Sequence, residues 1–468
     1  MKTRIVFLFL LFVNFHIWSQ SSLKEKAHEH IAELTPLLLN LKDSIGAWAE
    51  PSLQEYKTKA LLQETLSKAG FQIEENLGGI SSMFSAQYGQ DGPSIALLGE
   101  YDADVFENGT KGHASGHHWL GVGSLGAALS LKRLIDNGEI EARIVYVGST
   151  AEGGFGGRAH LARRNVFEGI DLAIFWHPSP VTWASTRPWD ALLDLEIQFN
   201  QEQVKVIETP PNSSTLLQKV LSFTKVLDRL KMGMDSTIHL HYSLASPKAS
   251  YNYSTDNIEV KIRIQAVEQA TVNQLYQAVK DKAEALQRNE ITVGISVFRA
   301  IHAFLPNNTG MKMVAENMND LGPISFTTQE QNQAKAIQSR LELPTSGLQA
   351  KLLPFQPYTN SQTLRKYASD IGDVSWWAPT LSFVVTCYPR GVPIGQAVAA
   401  EMAFQSFGGK GMLYAAKLIC SSVVDYLGNK GLQHAIKAEF QSRIGAQSYH
   451  LFEPMIHPTV ENNRKRTK

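Results

Sequence analysis

The strongest constraint on the fold is a change in the rhythm of apolar residues near Ala191. Before it, candidate strands are continuous apolar runs: Ile95-Ala96-Leu97-Leu98, residues 144–147 and residues 172–176. A strand that is apolar at every position is buried on both faces, and such strands belong to parallel sheets covered by helices. Between these runs, residues 121–134 and 159–164 carry helical spacing, so strand and helix alternate as in an α/β layer. After Ala191 the pattern becomes alternating. Leu193, Leu195, Ile197 and Phe199 share one face, as do Ile238, Leu240 and Tyr242, and then Ile258, Val260, Ile262 and Ile264. With amphipathic stretches at 213–231 and 271–288, this predicts a small antiparallel α+β unit with one face toward water. Beyond Phe304, helical patterns at 329–341 and 411–427 indicate that the larger layer resumes. The simplest account is a domain over 191–303 inserted into a larger one made of 21–190 and 304–468.

Composition narrows the function classes. The 468 residues carry 44 basic and 44 acidic side chains, and this formal neutrality argues against a nucleic-acid binder, which needs a clustered basic surface. The first residues differ in character: Lys2 and Arg4, an apolar run over 5–13, then Ser19-Gln20-Ser21-Ser22. A basic start, a short apolar core and small polar residues predict a signal peptide over 1–20 and an exported, periplasmic or secreted, mature chain. The apolar core is too short to span a bilayer, so no membrane span is expected once it is removed. Only Cys387 and Cys420 are present, in apolar surroundings and far from paired ligand spacing. Buried thiols are the default there, with a disulfide after export left open.

The polar residues that stand out cluster around the strand ends. The run 95–98 leads into Gly99-Glu100-Tyr101-Asp102, the run 144–147 into Ser149-Thr150-Ala151-Glu152-Gly153-Gly154, and the third run into Trp176-His177-Pro178. Parallel sheets bind ligands beyond the carboxyl ends of their strands, and Glu100, Asp102, Glu152 and His177 are all expected on such loops. Gly112-His113-Ala114-Ser115-Gly116-His117-His118 adds three histidines on a loop before a helix. One such histidine is more often a polar core residue or a cap than a ligand. His117, His177 and Glu152 together predict a site built around metal.

These motifs recur in a recognisable order: Glu55-Tyr56 with Leu61-Leu62 and Gly70-Phe71, Gly99-Glu100-Tyr101-Asp102-Ala103, Gly116-His117, Ala151-Glu152-Gly153-Gly154, Trp176-His177-Pro178, Asp370-Ile371-Gly372-Asp373-Val374-Ser375-Trp376, and Gly408-Gly409-Lys410-Gly411-Met412. The series resembles the metal-dependent amidohydrolases of the aminoacylase and carboxypeptidase type over nearly the whole mature chain. The resemblance implies a catalytic α/β domain with a two-metal site, a mixed and mostly parallel sheet, and an inserted lid domain through which two copies form a homodimer. It also implies hydrolysis of the amide bond of a small N-acyl amino acid or dipeptide.

Carried over position by position, the resemblance exposes departures. The bridging cysteine falls on Ser115, the second of two paired glutamates on Gly153, and the last histidine ligand on Gly395. His117 and His177 survive as ligands of one metal, Glu152 survives as general base, and Asp102 lies beside them. The second metal position is therefore expected to be empty, and the first to hold at most one weakly bound zinc or manganese ion, or none. Its remaining ligand is open among Glu152, Asp102, Asp104, His113 and His118. On the lid, Lys205 falls where the family presents an oxyanion-steadying histidine from the other copy of the dimer. Asn252 is retained near the substrate-carboxylate contacts, and the arginine position reads Gln265, with Arg263 on the same strand face. The expectation is a weak single-metal hydrolase or an inactive copy. The alternative is a non-catalytic exported protein that binds a small ligand or pairs with an active relative.

Overall fold

A computed structural model of the protein describes residues 2–186, 189–201, 216–245, 257–288, 290–359, 367–445, 449 and 455–467. In chain order its strands are β1 (Gln72–Glu75), β2 (Phe84–Tyr88), β3 (Ser94–Glu100), the short pair β4 (Asp104–Val105) and β5 (Lys111–Gly112), and β6 (Arg143–Ser149). They continue with β7 (Leu172–Ser179), β8 (Trp183–Ala184), β9 (Ala191–Gln201), β10 (His239–Ala245), β11 (Asn257–Ala266), β12 (Ile291–Ile301) and β13 (Thr380–Thr386). Seven of them form one sheet in the order β1-β2-β6-β3-β7-β13-β8. Its centre is parallel, β6 with β3, β3 with β7 and β7 with β13, and its margins are antiparallel. The continuous apolar runs are the central strands, and every residue of β3 is buried. This is the α/β fold with a mixed, mostly parallel sheet that the sequence predicts.

Helix His117–Asp136 packs on β3 and against the helices Lys2–Trp48 and Ser406–Gly428. Small residues make that approach close. A Cβ at Gly121 would lie 2.7 Å from the Glu100 carbonyl oxygen, and one at Gly123 would lie 2.8 Å from the Trp176 ring. Glycine at 121 seats the start of the helix against the end of β3 and so brings His117 to Glu100, and glycine at 123 seats it against Trp176 of β7. The helix begins earlier than its spacing predicts: His117 and His118 are its first residues rather than part of the preceding loop. Helix Tyr56–Lys68 ends at Gly70, whose φ is +91°. The Phe71 and Gly70 amides bond back to the Leu66 and Ser67 carbonyls, a glycine-terminated Schellman stop.

The alternating segments form a separate four-stranded antiparallel sheet in the order β10-β11-β9-β12. Helices Leu216–Met232 and Gln269–Glu284 cover one face, closing a second hydrophobic core around Leu195, Ile197, Val260, Ile262 and Val297. Strand β12 goes beyond the three strands expected from the sequence, although Ile291, Val293, Ile295 and Val297 alternate as the other lid strands do. At the N-terminus one helix, Lys2–Trp48, runs through the expected leader and the helical pattern after it. Among the described residues no helix is long and apolar enough to cross a membrane. Cys387 and Cys420 are both buried and free.

Candidate functional site

The two sheet ends that carry acids and histidines meet around His117. Glu100 is the last residue of β3, and His177 lies inside β7, two residues before its end, so neither sits on a loop as the sequence suggested. Asp102 follows β3 by two residues. Glu152 opens the short helix Glu152–Phe155 just after β6, following Ala151 in a left-handed conformation with φ +65°. A non-glycine residue there is strained, and it persists only where neighbouring contacts hold it. One such contact is the Ala151 amide donating to Asp102 Oδ2 at 3.3 Å.

His117 Nδ1 lies 3.0 Å from Asp102 Oδ1 and 3.2 Å from the Asp102 carbonyl oxygen, two groups that only accept, so it carries a proton. Its Nε2 is 3.7 Å from Glu100 Oε2. His177 Nδ1 donates to the Pro178 carbonyl at 2.8 Å. The two rings stand edge to face with centroids 5.8 Å apart. In both, Nδ1 is tied to protein acceptors, the manner in which metal-ligating histidines are oriented. Glu100, Asp102 and His117 each offer a donor atom within 4.8 Å of the others, and Glu100 Oε1 is buried without a hydrogen-bond partner. These donors fit one divalent ion.

The electrostatics agree with an excess of negative charge. Burial opposes the charge on His117, yet the carboxylates of Glu100, Asp102 and Asp104 push its pKa up to about 10. Burial takes His177 down to about 4, with the His117 charge adding to the effect. Burial also lifts Glu100 to about 7 against the pull of Arg158 and His117. It raises Glu152 too, with Asp370 reinforcing the shift and Arg299 and His117 resisting it. Asp102 stays below the usual carboxylate range despite its burial, because His117 bonds to it. Acid and base are thus driven apart by their surroundings, as at reactive centres.

Sequence reasoning missed Arg158 and Arg299, and it placed Glu100 at the site but not among the candidate ligands, where its carboxylate joins Asp102 and His117. Arg158 has no solvent exposure and bridges Glu100 Oε2 at 2.8 Å and Asp370 Oδ1 at 2.6 Å, while its amide donates to Asp370 Oδ2 at 2.7 Å. Arg299, from β12, donates to the carbonyl oxygens of Gly153 at 3.1 Å and Glu152 at 3.4 Å. Neither belongs to a local motif. The available signal for Arg158 was the Asp370-Ile371-Gly372-Asp373 segment, whose first acid needs a buried cation.

The positions where the resemblance implies ligands of a second metal carry Ser115, Gly153 and Gly395. Ser115 gives its amide and hydroxyl hydrogens to Asp104, at 2.9 and 3.1 Å. A Cβ at Gly395 would lie 3.9 Å from Ser115 Oγ, so these two positions face each other as the resemblance implies, but Gly395 has φ +86°. A Cβ at Gly153 would meet nothing within 4 Å. His113 and His118 donate to the Ile45 and Ala403 carbonyls, at 3.2 and 3.0 Å, and pack on each other within the core. Burial pushes both pKa values down, His113 to about 4, so they serve as neutral core residues. On the lid, Arg263 pairs with Asp194 at 2.7 Å and Gln265 donates to Asp190 at 2.8 Å. Lys205 and Asn252 lie outside the described residues.

No protein-family model matches the chain. It is 26% identical over 448 residues to a component chain of the p-aminobenzoyl-glutamate hydrolase of Escherichia coli K12, covering 88% of this chain and 93% of that one. In fold it is similar to a dinuclear metal-binding peptidase of the M20 family from Bacillus subtilis, with TM-score 0.56 and 13% identity over 85% of this chain and 99% of the other. It is also similar to an aminobenzoyl-glutamate utilization protein from Klebsiella pneumoniae, with TM-score 0.58 and 12% identity over 83% and 98% of the two chains.

Proposed function

Because the chain belongs to the metal-dependent amidohydrolase and metallopeptidase family, we propose that it is an exported amidohydrolase working with one divalent ion, zinc or manganese. The substrate class is a small N-acyl amino acid or dipeptide, with p-aminobenzoyl-glutamate, named in its relative, as a first compound to try. The observation that carries this reading is the pair of anchored histidines. His117 and His177 spend Nδ1 on protein acceptors and keep Nε2 for a ligand, beside the unpartnered Oε1 of Glu100. Glu100, Asp102 and His117, whose donor atoms lie within 4.8 Å of one another, would hold the ion, and His177, edge to face with His117, would complete its shell. When bound, it supplies Lewis acidity toward the scissile carbonyl.

With Glu100 as the carboxylate donor, Glu152 is left free as general base, taking a proton from water and passing it to the leaving amine. Its raised pKa suits a group that must both accept and return a proton. Asp102 fixes the His117 tautomer, and Arg158 fixes the Glu100 carboxylate. The lid would supply a homodimer interface: the edge strand β10 leaves Leu244 exposed, and the helix Leu216–Met232 leaves Leu217, Leu221 and Met232 exposed. Edge strands with apolar neighbours call for a partner. Sedimentation of the mature chain as a monomer at micromolar concentration would remove the dimer.

The decisive experiment is elemental analysis of gently purified protein together with hydrolysis of N-acyl amino acids and p-aminobenzoyl-glutamate, with and without added zinc or manganese. One ion per chain and metal-dependent turnover are expected. No ion and no turnover would instead favour the second reading, a non-catalytic small-ligand binder. That reading draws on one observation: a protonated His117 pairs with Asp102 and Glu100 and balances the site without metal.

A further inference from the structure

We propose that Arg299 is a positioning residue for the Glu152 turn, aimed there by a bulge in the edge strand of the lid that the C-terminal tail pins in place. The proposal rests on the role given above to Glu152.

The pairing of β12 with β9 runs regularly to Val297 opposite Leu195, then resumes with Arg299 opposite Asp194, so Phe298 is an extra residue. In a regular strand, residues two apart share a face. Val297 is buried in the lid core, and without the extra residue Arg299 would point the same way. The bulge reverses it, and Ala300 takes the core side instead. Bulges next to active sites re-aim side chains in this way.

Once reversed, the guanidinium is held from both ends. Nε and Nη2 bond to Asp194 Oδ2 at 3.0 and 2.9 Å, while Nη1 reaches the Glu152 and Gly153 carbonyls. Asp194 is itself fixed by Arg263 from the neighbouring strand. The stem packs on the turn: a Cβ at Gly156 would lie 3.4 Å from Arg299 Cγ. The strained Ala151 turn is therefore braced by Asp102 on one side and by Arg299 on the other.

The tail grips the bulge on both flanks. The Ile456 amide donates to the Val297 carbonyl at 2.8 Å, and the Ala300 amide donates to Met455 Sδ at 3.0 Å. On either side of this grip the tail is tied to the large domain. The Tyr449 hydroxyl donates to Asp373 at 2.7 Å, and His457 bonds the Gly79 carbonyl at 3.2 Å. Through His457, Ile456 and Met455, the bulge, Arg299 and the Glu152 turn are linked from the large domain, through the lid strand, back to the candidate base.

The test uses the full mature chain, loaded with zinc, as wild type, Arg299→Gln, Arg299→Lys and Ile456→Pro. Hydrogen–deuterium exchange reads the peptide over 150–157, alongside metal stoichiometry and N-acyl amino acid turnover. Arg299→Gln should speed exchange over 150–157 by about tenfold and lower kcat about 10–100-fold with KM and bound metal unchanged, the scale expected for a misplaced catalytic group. Arg299→Lys keeps one carbonyl contact and should recover most of both. Ile456→Pro, which leaves Arg299 intact but removes the donor to Val297, should loosen the same peptide to a smaller degree. Wild-type exchange over 150–157 in Arg299→Gln overturns the proposal, as does Arg299→Gln exchange that Arg299→Lys does not reduce. If wild type binds metal but hydrolyses nothing, the reading of the function falls, and the exchange data alone decide for or against Arg299.

Discussion

Replacing Arg158 by methionine should destabilise the large domain severely, and more so as pH rises. The guanidinium has no exposure and neutralises two buried carboxylates, Glu100 at 2.8 Å and Asp370 at 2.6 Å. Removing one partner of a buried ion pair costs ~3–5 kcal/mol, because the remaining charge has neither solvent nor partner. Methionine fills the arginine stem but leaves two acids, so the expected loss lies at the upper end of that range. Set against a typical domain stability of ~5–15 kcal/mol, that is a large fraction of the whole. The pH sign follows from Glu100. Burial already lifts its pKa from 4.5 to about 7, while Arg158 holds it down, so the substitution lifts it further. A carboxyl whose folded pKa exceeds its unfolded value destabilises increasingly from the unfolded pKa upward, until it ionises in the folded state. The part of the gap that depends on Glu100 should therefore stay flat up to about pH 7, where both folded proteins carry it protonated, and widen above that. Urea unfolding followed by tryptophan fluorescence, at several pH values across that window, measures it. Adding Glu100→Gln to Arg158→Met should narrow the gap above about pH 7. A loss below ~1 kcal/mol at neutral pH, or a gap that shrinks as pH rises, would refute the reasoning.

Elemental analysis should find at most one zinc or manganese per chain, lost in His117→Ala or His177→Ala, and two tightly held ions would contradict the assignment of Ser115, Gly153 and Gly395. Gly153→Glu has open space around its Cβ and should change stability by no more than ~0.5 kcal/mol in chemical unfolding. Gly395→His, at φ +86°, should cost about 1–2 kcal/mol. The triple variant Ser115→Cys, Gly153→Glu, Gly395→His should therefore regain a second ion only weakly, with about 5–30-fold of affinity lost to that strain. Chelator competition measures it, and a second ion as tight as the first would show that the 391–395 turn re-forms. N-terminal sequencing of material from the native host should begin near Gln20 or Ser21, and an intact Met1 on cytoplasmic protein would remove the export proposal.

Much of this molecule follows from local pattern. The switch from continuous to alternating apolar strands separates a buried parallel sheet from a half-wet antiparallel one, because burial on two faces or one is written into every second residue. His117, His177, Glu152 and Asp102 could be named from sequence because glycine-flanked turns at strand ends are local features. That Ser115, Gly153 and Gly395 stand where the resemblance implies ligands is a local reading of the same kind. What sequence could not supply are the partners that arrive from far along the chain. Arg158 neutralises Glu100 and Asp370, 58 and 212 residues away. His113 and His118 stand in the sequence among the open choices for a ligand beside His117, yet the fold turns them to the Ile45 and Ala403 carbonyls in the core. Arg263 reads as a substrate contact, and the structure gives it to Asp194, 69 residues earlier. Arg299 carries no motif, and its direction is set by one extra residue in β12. Backbone propensity and periodicity are properties of neighbours in the chain. The partner of a buried charge is decided only when the sheet closes, because that charge must be met by whatever the fold brings to it.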